Sequence, residues 1–376
     1  MLKQFEVQNI YIGEYVKPTT FTISWTETSN PASFNPVYSD DAAWLTAWST
    51  AFDDFFWYYG CRLSNAGVET AKQSQSAWVL DITQLGTLTS WDNVMIAFPR
   101  RWIKMSKSWS TVTLSITDAP NADWYQYYAH TKGSADKDTL YLWAYKMVSW
   151  YQSLSWKAPI INQTRRSFRY GVKNAYDSSA WTDRYSIITI YPRWYINALY
   201  MMKYGNPNSQ SVIWQWNEWT NSTVKNTGWT NSQTSATYWT TSNTVQVKLF
   251  WLEDWWGNVE EWIDWCFFNS SSELTVDKTN SIFQDSNYST NIWSSSNWYM
   301  TAIWGGNDNM FICTSAGWSN STYYADRFDK YANGCLIGWG RCAMSSSLLG
   351  WAWVFRIQAQ TYDYYNSYIG SRLMYL

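Results

Sequence analysis

The chain has 376 residues, which suits one large or two medium domains, and 46% of them are hydrophobic, enough for a sizeable core. Only 15% are charged and the formal net charge is −2, which excludes a basic nucleic-acid-binding surface. The chain has neither an apolar run of 18 residues nor a basic segment followed by an apolar one near its start, so we expect no membrane insertion and no secretory signal peptide.

A region of mostly short strands is predicted for residues 1–155. One early helix is predicted around 42–56. The run VMIAF at 94–98 is continuously apolar, which predicts a buried strand. Segments 103–105 and 112–116 predict the two strands of a hairpin, and the second alternates polar and apolar residues as a half-buried strand does.

A second region is predicted to begin after a linker-like stretch. Segment 140–145 predicts a further strand, and the stretch at 153–164 carries the linker-like residues. We therefore place a boundary near residue 155 and assign 156–376 to the second region. In that region, 194–204 has apolar residues at helical spacing, and Gly205 can end the helix.

The rest of the second region is rich in loops and strands. Residues 211–243 form a polar stretch of Ser, Thr and Asn, which predicts a loop. Segment 244–252 alternates as a strand does, and short strands are predicted from there onward. Few helices, many strands and long loops indicate an α+β, β-rich fold.

Tryptophan is unusually frequent and stands where glycine is expected. The chain has 31 Trp but only 17 Gly, whereas the usual frequency predicts about 26 Gly. Trp109 lies in the predicted hairpin turn, and the segments 226–231, 315–320 and 337–341 place Trp in similar turns. Such turns favour Gly, Asn or Asp, because these residues tolerate positive φ, whereas Trp is strained there.

We interpret most of these tryptophans as glycines. Some bacteria and their viruses assign the UGA codon to glycine, and translating that codon as tryptophan would produce this pattern. If only four tryptophans are genuine, the glycine count rises from 17 to 44, which suits a loop-rich β protein. The alternative is a genuine tryptophan-rich binding surface, but the tryptophans are scattered rather than clustered. The four taken as genuine are Trp194, Trp255, Trp256 and Trp262.

The cysteines and the single histidine limit the chemistry. The five cysteines have no C-x-x-C spacing, so buried reduced thiols are favoured over a disulfide framework. His130 is the only histidine, which excludes zinc His-pair motifs and allows at most one His-based triad. The cysteines are Cys61, Cys266, Cys313, Cys335 and Cys342.

Two acidic or amide-rich segments were weighed as functional sites. Five acidic residues between 253 and 264 could serve acid–base chemistry or calcium, but their spacing does not place all of them on one face, so structural hydrogen bonds and solvated charge are favoured. The segment 307–309 could supply oxygen ligands to Ca²⁺, although Asn-Asp-Asn after two glycines is more typical of a turn. We therefore predict no cofactor and no metal site.

The second half of the chain carries a recognisable set of motifs. Segment 252–264 reads LEDWWGNVEEWID and is flanked by Trp251 and Trp265, both interpreted as glycine. LIGWGR at 336–341 and IGSRL at 369–373 complete the set, with WVF between them. Together they resemble the signature of the C-type lectin-like fold shared by formylglycine-generating (sulfatase-modifying) enzymes and phage receptor-binding proteins.

Other segments are similar to the phage branch of this family. GNPNSQ at 205–210 follows the predicted helix, and VMIAFPRR at 94–101 and YYAHT at 127–131 resemble the N-terminal regions of phage tail proteins of this type. The resemblance implies an N-terminal β-rich attachment or oligomerisation region at 1–155 and a C-type lectin-like ligand-binding domain at 156–376.

The resemblance also implies a location and partners. It implies a phage tail protein in the virion that mediates host adhesion as a homotrimer and contacts other tail proteins. Its ligand would be a host cell-surface receptor, protein or glycan, bound by the C-terminal face. In the phage relatives this face is in some cases diversified by a diversity-generating retroelement.

Two alternatives stay open. A formylglycine-generating-type oxidase needs a closely spaced reactive cysteine pair that binds copper. Cys335 and Cys342 are seven residues apart, which is wider than the enzyme's spacing, and no His or acidic cluster surrounds them in the sequence, so we favour binding and predict no enzymatic activity. The other alternative is a structural tail or decoration protein that binds no receptor.

The candidate ligand-binding residues lie near the C-terminal end of the sequence. The segment RIQAQTYDYYNSY at 356–368 resembles an antibody-like binding surface, since Tyr gives rigid contact area while Ser and Asn give adaptable hydrogen bonds. Alternation predicts that residues 356, 358 and 360 share one face of a strand. The candidates are Arg341, Met344, Arg356, Gln358, Gln360, Tyr362, Tyr364, Tyr365 and Tyr368.

Overall fold

The structure is a computed structural model, and it shows a β-rich α+β fold with several sheets and few helices. Among the described residues, no helix is both long enough and apolar enough to cross a membrane. The described residues are 18–27, 34–73, 92–120, 122–176, 185–213, 224–240, 245–280, 288–294, 298–318, 324, 326–330, 332–338, 354–361 and 363–376.

Strands dominate both halves of the described chain. Before residue 150 they are β1 Thr20–Thr26, β2 Val37–Asp40, β3 Tyr59–Leu63, β4 Glu69–Lys72, β5 Asn93–Pro99, β6 Trp102–Ser108, β7 Thr111–Thr117, β8 Thr131–Lys132, β9 Ala135–Asp136 and β10 Thr139–Trp143. After it they are β11 Tyr185–Ile187, β12 Lys248–Leu249, β13 Leu252–Glu253, β14 Glu260–Phe268, β15 Leu274–Val276, β16 Thr290–Ile292, β17 Trp298–Ile303, β18 Cys313–Gly317, β19 Arg327–Asp329, β20 Gly334–Gly338, β21 Ile357–Thr361, β22 Ile369–Gly370 and β23 Leu373–Tyr375.

The helical segments of the described chain are short, apart from two. They are α1 Ala51–Phe56, α2 Arg165–Tyr176, α3 Ile190–Tyr204 and α4 Ser209–Val212, with 3₁₀ turns at Tyr128–His130 and Ser149–Tyr151.

The described strands form three large sheets and two two-stranded ones, β8-β9 and β12-β13. A four-stranded antiparallel sheet has the order β2-β1-β7-β6, and a six-stranded antiparallel sheet has the order β11-β23-β10-β5-β3-β4. The largest sheet has the order β16-β15-β14-β20-β21-β19-β17-β18, and β22 pairs with β14 in parallel. The six-stranded sheet combines strands from both sides of the boundary predicted near residue 155, because β23 pairs with both β10 and β11.

Helix α3 lies in the centre of the core, and all fifteen of its residues are buried. The helix predicted at 194–204 is confirmed, although it begins earlier, at Ile190. It ends as predicted at Gly205, which adopts a left-handed conformation with φ 60° and donates its N–H to Met201 O. Glycine reaches this conformation without the steric cost of a Cβ atom.

The early helix was predicted too long. Only α1 is helical within 42–56, since the preceding residues form turns and Trp48 has φ 75°. A left-handed residue cannot be part of a right-handed helix, so the helix starts only after it.

Most of the predicted strands are confirmed. β5 and β10 cover the segments predicted at 94–98 and 140–145, and β6 and β7 form the predicted hairpin. The strand predicted at 244–252 is instead a short hairpin of β12 and β13. Its turn consists of Phe250 and Trp251, both with positive φ, which breaks the extended conformation.

Tryptophan is found at positive φ more often than is expected for a residue with so bulky a side chain. Of the 18 described non-glycine residues with positive φ, nine are tryptophan, although such conformations are uncommon outside glycine, asparagine and aspartate. None of the four tryptophans interpreted as genuine is among them. The nine are Trp48, Trp57, Trp109, Trp124, Trp150, Trp156, Trp251, Trp265 and Trp298.

Four of these positions are ones at which local geometry favours glycine. Trp57 ends α1 in the left-handed conformation, with φ 50°, and donates its N–H to Asp53 O. Trp109 begins the two-residue turn of the β6–β7 hairpin, and Trp251 is the second residue of a turn in which both central residues have positive φ. Trp265, with φ 51°, lies at the irregularity in the β14–β20 pairing, where a bulge residue in this conformation is usually glycine.

The strain at these positions can be measured. Trp109→Gly should raise the free energy of unfolding by about 1 kcal/mol, because it removes the backbone strain of a bulky residue at positive φ. The substitution loses no packing, since the Trp109 side chain is 97% exposed. Trp44→Gly is the matched control: it is 75% exposed but has no positive φ, so it should not stabilise the protein. Urea unfolding of both variants measures this difference. A Trp109→Gly variant that is less stable than the wild type would contradict the predicted strain at position 109.

Candidate functional site

The signature segment 252–264 places its acidic side chains in the interior. Glu261 accepts hydrogen bonds from Lys146 Nζ at 2.7 Å, Arg193 at 2.5 Å and Arg372 Nε at 2.9 Å, and all four side chains have no exposed surface. Burial alone would raise the pKa of the Glu261 carboxyl, but the cations, Lys146 foremost, outweigh it and lower the pKa to about 2. This carboxylate is therefore a structural anion.

The signature tryptophans pack around this ionic cluster. The guanidinium of Arg193 lies 4.7 Å from the ring centroid of Trp255, and that of Arg372 lies 5.7 Å from it. The buried Trp262 donates its indole N–H to Gln163 O at 3.0 Å. These contacts give the two tryptophans roles in packing and cation–π attraction that glycine could not supply.

Asp264 and Glu253, two other carboxylates of this segment, are also buried and hydrogen-bonded. Asp264 binds Arg169 through two hydrogen bonds, and Arg169 outweighs the effect of burial and lowers the pKa of Asp264. Glu253 accepts from the backbone N–H groups of Gly228 and Thr230 at 2.6 and 2.8 Å, which fixes that loop. Structural hydrogen bonding was the favoured interpretation, whereas the expectation of solvated charge was wrong, because five carboxylates here are 0–4% exposed.

The segment considered for calcium forms a turn. Asn307 Oδ1 accepts from Met105 N at 2.7 Å, Asp308 pairs with Lys278 at 2.6 Å, and Asn309 Oδ1 accepts from Gly306 N at 3.1 Å. These oxygens are used to join the turn to neighbouring elements, which supports the turn interpretation.

The described cysteines are buried. Cys61, Cys266, Cys313 and Cys335 are all buried and form no disulfide with one another, whereas Cys342 lies outside the described residues. Burial raises the pKa of the Cys266 thiol well above its usual value. The raised pKa keeps the Cys266 thiol protonated, so its role is in packing.

Strand β21 presents two of the candidate ligand-binding residues on one face. Ile357 and Ala359 are buried, whereas Gln358 and Gln360, on the opposite face, are half-buried, as the alternation predicts. Arg356 precedes the strand and is only 3% exposed, and it donates a hydrogen bond of 2.5 Å to Gln358 Oε1. Arg356 therefore orients Gln358 rather than presenting a charge at the surface.

The loop 363–368, called the tyrosine loop below, lies between β21 and β22. Tyr365 is 61% exposed. Tyr364 and Tyr368 share a hydrogen bond between their hydroxyls at 3.2 Å, and Asn366 Nδ2 donates to Tyr364 OH at 3.1 Å. The remaining sequence candidates, Arg341, Met344 and Tyr362, lie outside the described residues.

Glu260 lies directly under the tyrosine loop. Its N–H donates to Tyr368 O at 2.8 Å, and its side chain is 4% exposed. Burial raises the pKa of the Glu260 carboxyl to about 7, although Arg356 lowers it in part. Sequence analysis placed Glu260 in the acidic cluster but gave no reason to associate it with the tyrosines, which follow it by about a hundred residues.

An open surface pocket of about 370 Å³ adjoins the tyrosine loop. One wall is Tyr365, and the other walls come from the loop before α2 and from its first turn. The only sequence signal for this second wall was the linker-like composition of 153–164, which does not indicate binding. The lining residues are Tyr151, Asn162, Gln163, Thr164, Ser167 and Tyr365.

The chain was compared with known proteins. No protein-family model matches it, and no curated protein matches it. Function is therefore inferred from the sequence motifs and from the geometry of this surface.

The raised pKa of Glu260 predicts a pH-dependent stability. The folded protein holds this proton more tightly than the unfolded chain, whose carboxyl titrates near 4.5, so the wild type loses stability as pH rises from about 4.5 to 7. Glu260→Gln removes that loss. Its free energy of unfolding relative to wild type should increase between pH 5 and pH 8 by on the order of 2 kcal/mol.

Urea titrations at several pH values measure this difference. Asp363→Asn, which removes an exposed carboxylate from the tyrosine loop, serves as the control for a simple change of surface charge. A Glu260→Gln variant whose stability follows the wild-type pH profile in parallel would show that Glu260 does not titrate in this range.

Proposed function

We propose that the chain is a phage tail receptor-binding protein whose tyrosine loop and β21 face contact a host cell-surface receptor. The main support for this proposal is the tyrosine loop. In it, the exposed Tyr365 lies beside Tyr364, Asn366 and Tyr368, whose side chains are joined by hydrogen bonds. Such a surface offers rigid aromatic area and polar groups that donate and accept, which is the chemistry of a binding surface.

The loop is fastened to the interior through its backbone. Tyr368 O accepts from Glu260 N, and Asn366 O accepts from Asn162 N at 3.0 Å. The next residue, Ile369, pairs with Glu260 in parallel, so the loop begins and ends on the largest sheet. A loop held in this way loses little conformational entropy when it binds, which favours affinity.

The resemblance to the C-type lectin-like fold gains support from its signature residues. Glu261 and Trp255 come from the segment 252–264 and Arg372 comes from IGSRL at 369–373, and the three side chains meet in one buried cluster. Motifs shared only by chance would have no reason to converge. We therefore propose a C-type lectin-like domain for the second region and an attachment or oligomerisation role for the first.

The assembly belongs to the same proposal. A single shallow surface binds weakly, so several copies must engage one cell to give firm adhesion. A homotrimer within the tail of the virion, in contact with other tail proteins, supplies that multiplicity.

We also propose that most tryptophans of this chain are glycine in the natural protein. The support is the occurrence of nine tryptophans at positive φ, four of them in a helix cap, two hairpin turns and a strand bulge. Strain of about 1–3 kcal/mol at each of the nine positions sums to about 9–27 kcal/mol, which is as large as or larger than the whole stability of an ordinary protein, about 5–15 kcal/mol. A genome that assigns UGA to glycine removes all of it.

The codons and the natural protein test this recoding. UGA is expected at positions 57, 109, 251 and 265, and UGG is expected for Trp194, Trp255, Trp256 and Trp262. Peptide mass spectrometry of virions should show glycine at position 109. UGG codons at all eight positions would refute the recoding.

Host adsorption tests the binding surface. Virions carrying Tyr365→Ala together with Gln358→Ala should adsorb to host cells at least about tenfold more slowly, because the two changes remove exposed contact area and a polar group. Tyr170→Ala removes another exposed tyrosine, 39% exposed, from α2, and the variant should adsorb as wild type does. Unchanged adsorption of the double variant would instead favour a structural tail or decoration protein.

A further inference from the structure

The pocket beside Tyr365 is built from residues that are far apart in the chain. Asn162, Gln163, Thr164 and Ser167 face the tyrosine loop across it, and Tyr151 closes one side. We propose that this pocket is a subsite for a neutral sugar residue of the host receptor. The inference rests on the proposed receptor-binding function and names the class of ligand.

The chemistry of the lining favours a neutral sugar. None of the described lining residues is charged, so a carboxylate, sulfate or ammonium group would lose its hydration without gaining an opposite charge. Two tyrosine rings provide faces for the C–H groups of a pyranose. The two amides can donate and accept, and the hydroxyls of Thr164 and Ser167, which share one hydrogen bond of 2.9 Å, offer further polar atoms to sugar hydroxyls. The volume of about 370 Å³ is at the lower end of the range for ligand sites, which suits a single sugar ring.

Gln163 supplies the most specific feature. Its Oε1 atom is shielded from solvent and has no hydrogen-bond partner among the described residues. A shielded acceptor without a donor costs free energy, and a sugar hydroxyl placed in the pocket would supply that donor. The backbone of Gln163 is held by Trp262, whose indole N–H donates to Gln163 O, so the signature motif positions this side chain.

The walls are ordered before any ligand arrives. Thr164 Oγ1 accepts from Ser167 N at 3.0 Å and caps α2, while Asn162 N donates to Asn366 O and joins the two walls. The ring of Tyr151 lies against α2 at Gly171, where a Cβ atom would come within 1.9 Å of it. Because these contacts already fix the lining, binding need not order it.

Saturation-transfer NMR on the full chain tests the subsite. The probes are the methyl glycosides of glucose, galactose, mannose, N-acetylglucosamine and N-acetylgalactosamine, each alone, with N-acetylneuraminic acid and glucuronic acid as anionic comparators. At least one neutral glycoside should bind, with fast exchange and weak affinity, and neither acid should.

Three variants assign the binding to this pocket. Tyr365→Ala and Gln163→Leu should each raise the dissociation constant at least about tenfold. Tyr170→Ala, on α2 but outside the lining, should leave the affinity unchanged.

The outcomes separate a failure of the sugar subsite from a failure of the receptor-binding function. If no neutral glycoside binds, if only the acids bind, or if binding is insensitive to Gln163→Leu and Tyr365→Ala, the subsite is refuted. If adsorption of virions still depends on Tyr365 and Gln358 in that case, the receptor-binding function stands without a sugar. If a glycoside binds with the expected variant pattern but adsorption is unaffected by Gln163→Leu, the pocket binds sugar and its role in receptor binding is refuted.

Discussion

The buried carboxylate of Glu261 is the interaction on which the rest of the structure depends. It holds three cations that come from the segment after β10, from α3 and from the segment before β23. Ions this deeply buried are tolerated only when their charges and hydrogen bonds are compensated, and removal of one partner from such a group typically costs about 3–5 kcal/mol. One side chain thus joins the central helix, the six-stranded sheet and the strand β14 that carries it.

The same strand connects the interior to the surface. Glu261 faces the ionic cluster, while its neighbour Glu260 supports the tyrosine loop through its backbone N–H. Trp262 follows and fixes the backbone of Gln163 in the wall of the surface pocket. Three consecutive residues therefore tie the stability of the core to the shape of the candidate binding surface.

Local features could be predicted from the sequence, whereas features that depend on distant contacts could not. Apolar runs and alternation identify β5, β10 and the β6–β7 hairpin, because burial and pairing there follow the local pattern. The glycine-like role of Trp109 was also local, since turn geometry depends on a few residues. The burial of Arg356 and the pocket wall at Gln163 depend on residues about a hundred to two hundred positions away, so no local pattern reveals them.

The position of β23 has a consequence for how the protein is made. In the six-stranded sheet it lies between β10 and β11, and Leu142 pairs with Met374, roughly 230 residues later in the chain. During synthesis, β5 and β10 leave the ribosome long before that partner exists, so one edge of β10 stays open while the intervening segments are translated. A ribosome that stopped before residue 373 would release a chain with this edge still unpaired. Translation as far as β23 is therefore a condition for the complete six-stranded sheet, and prematurely released chains are exposed to aggregation and proteolysis.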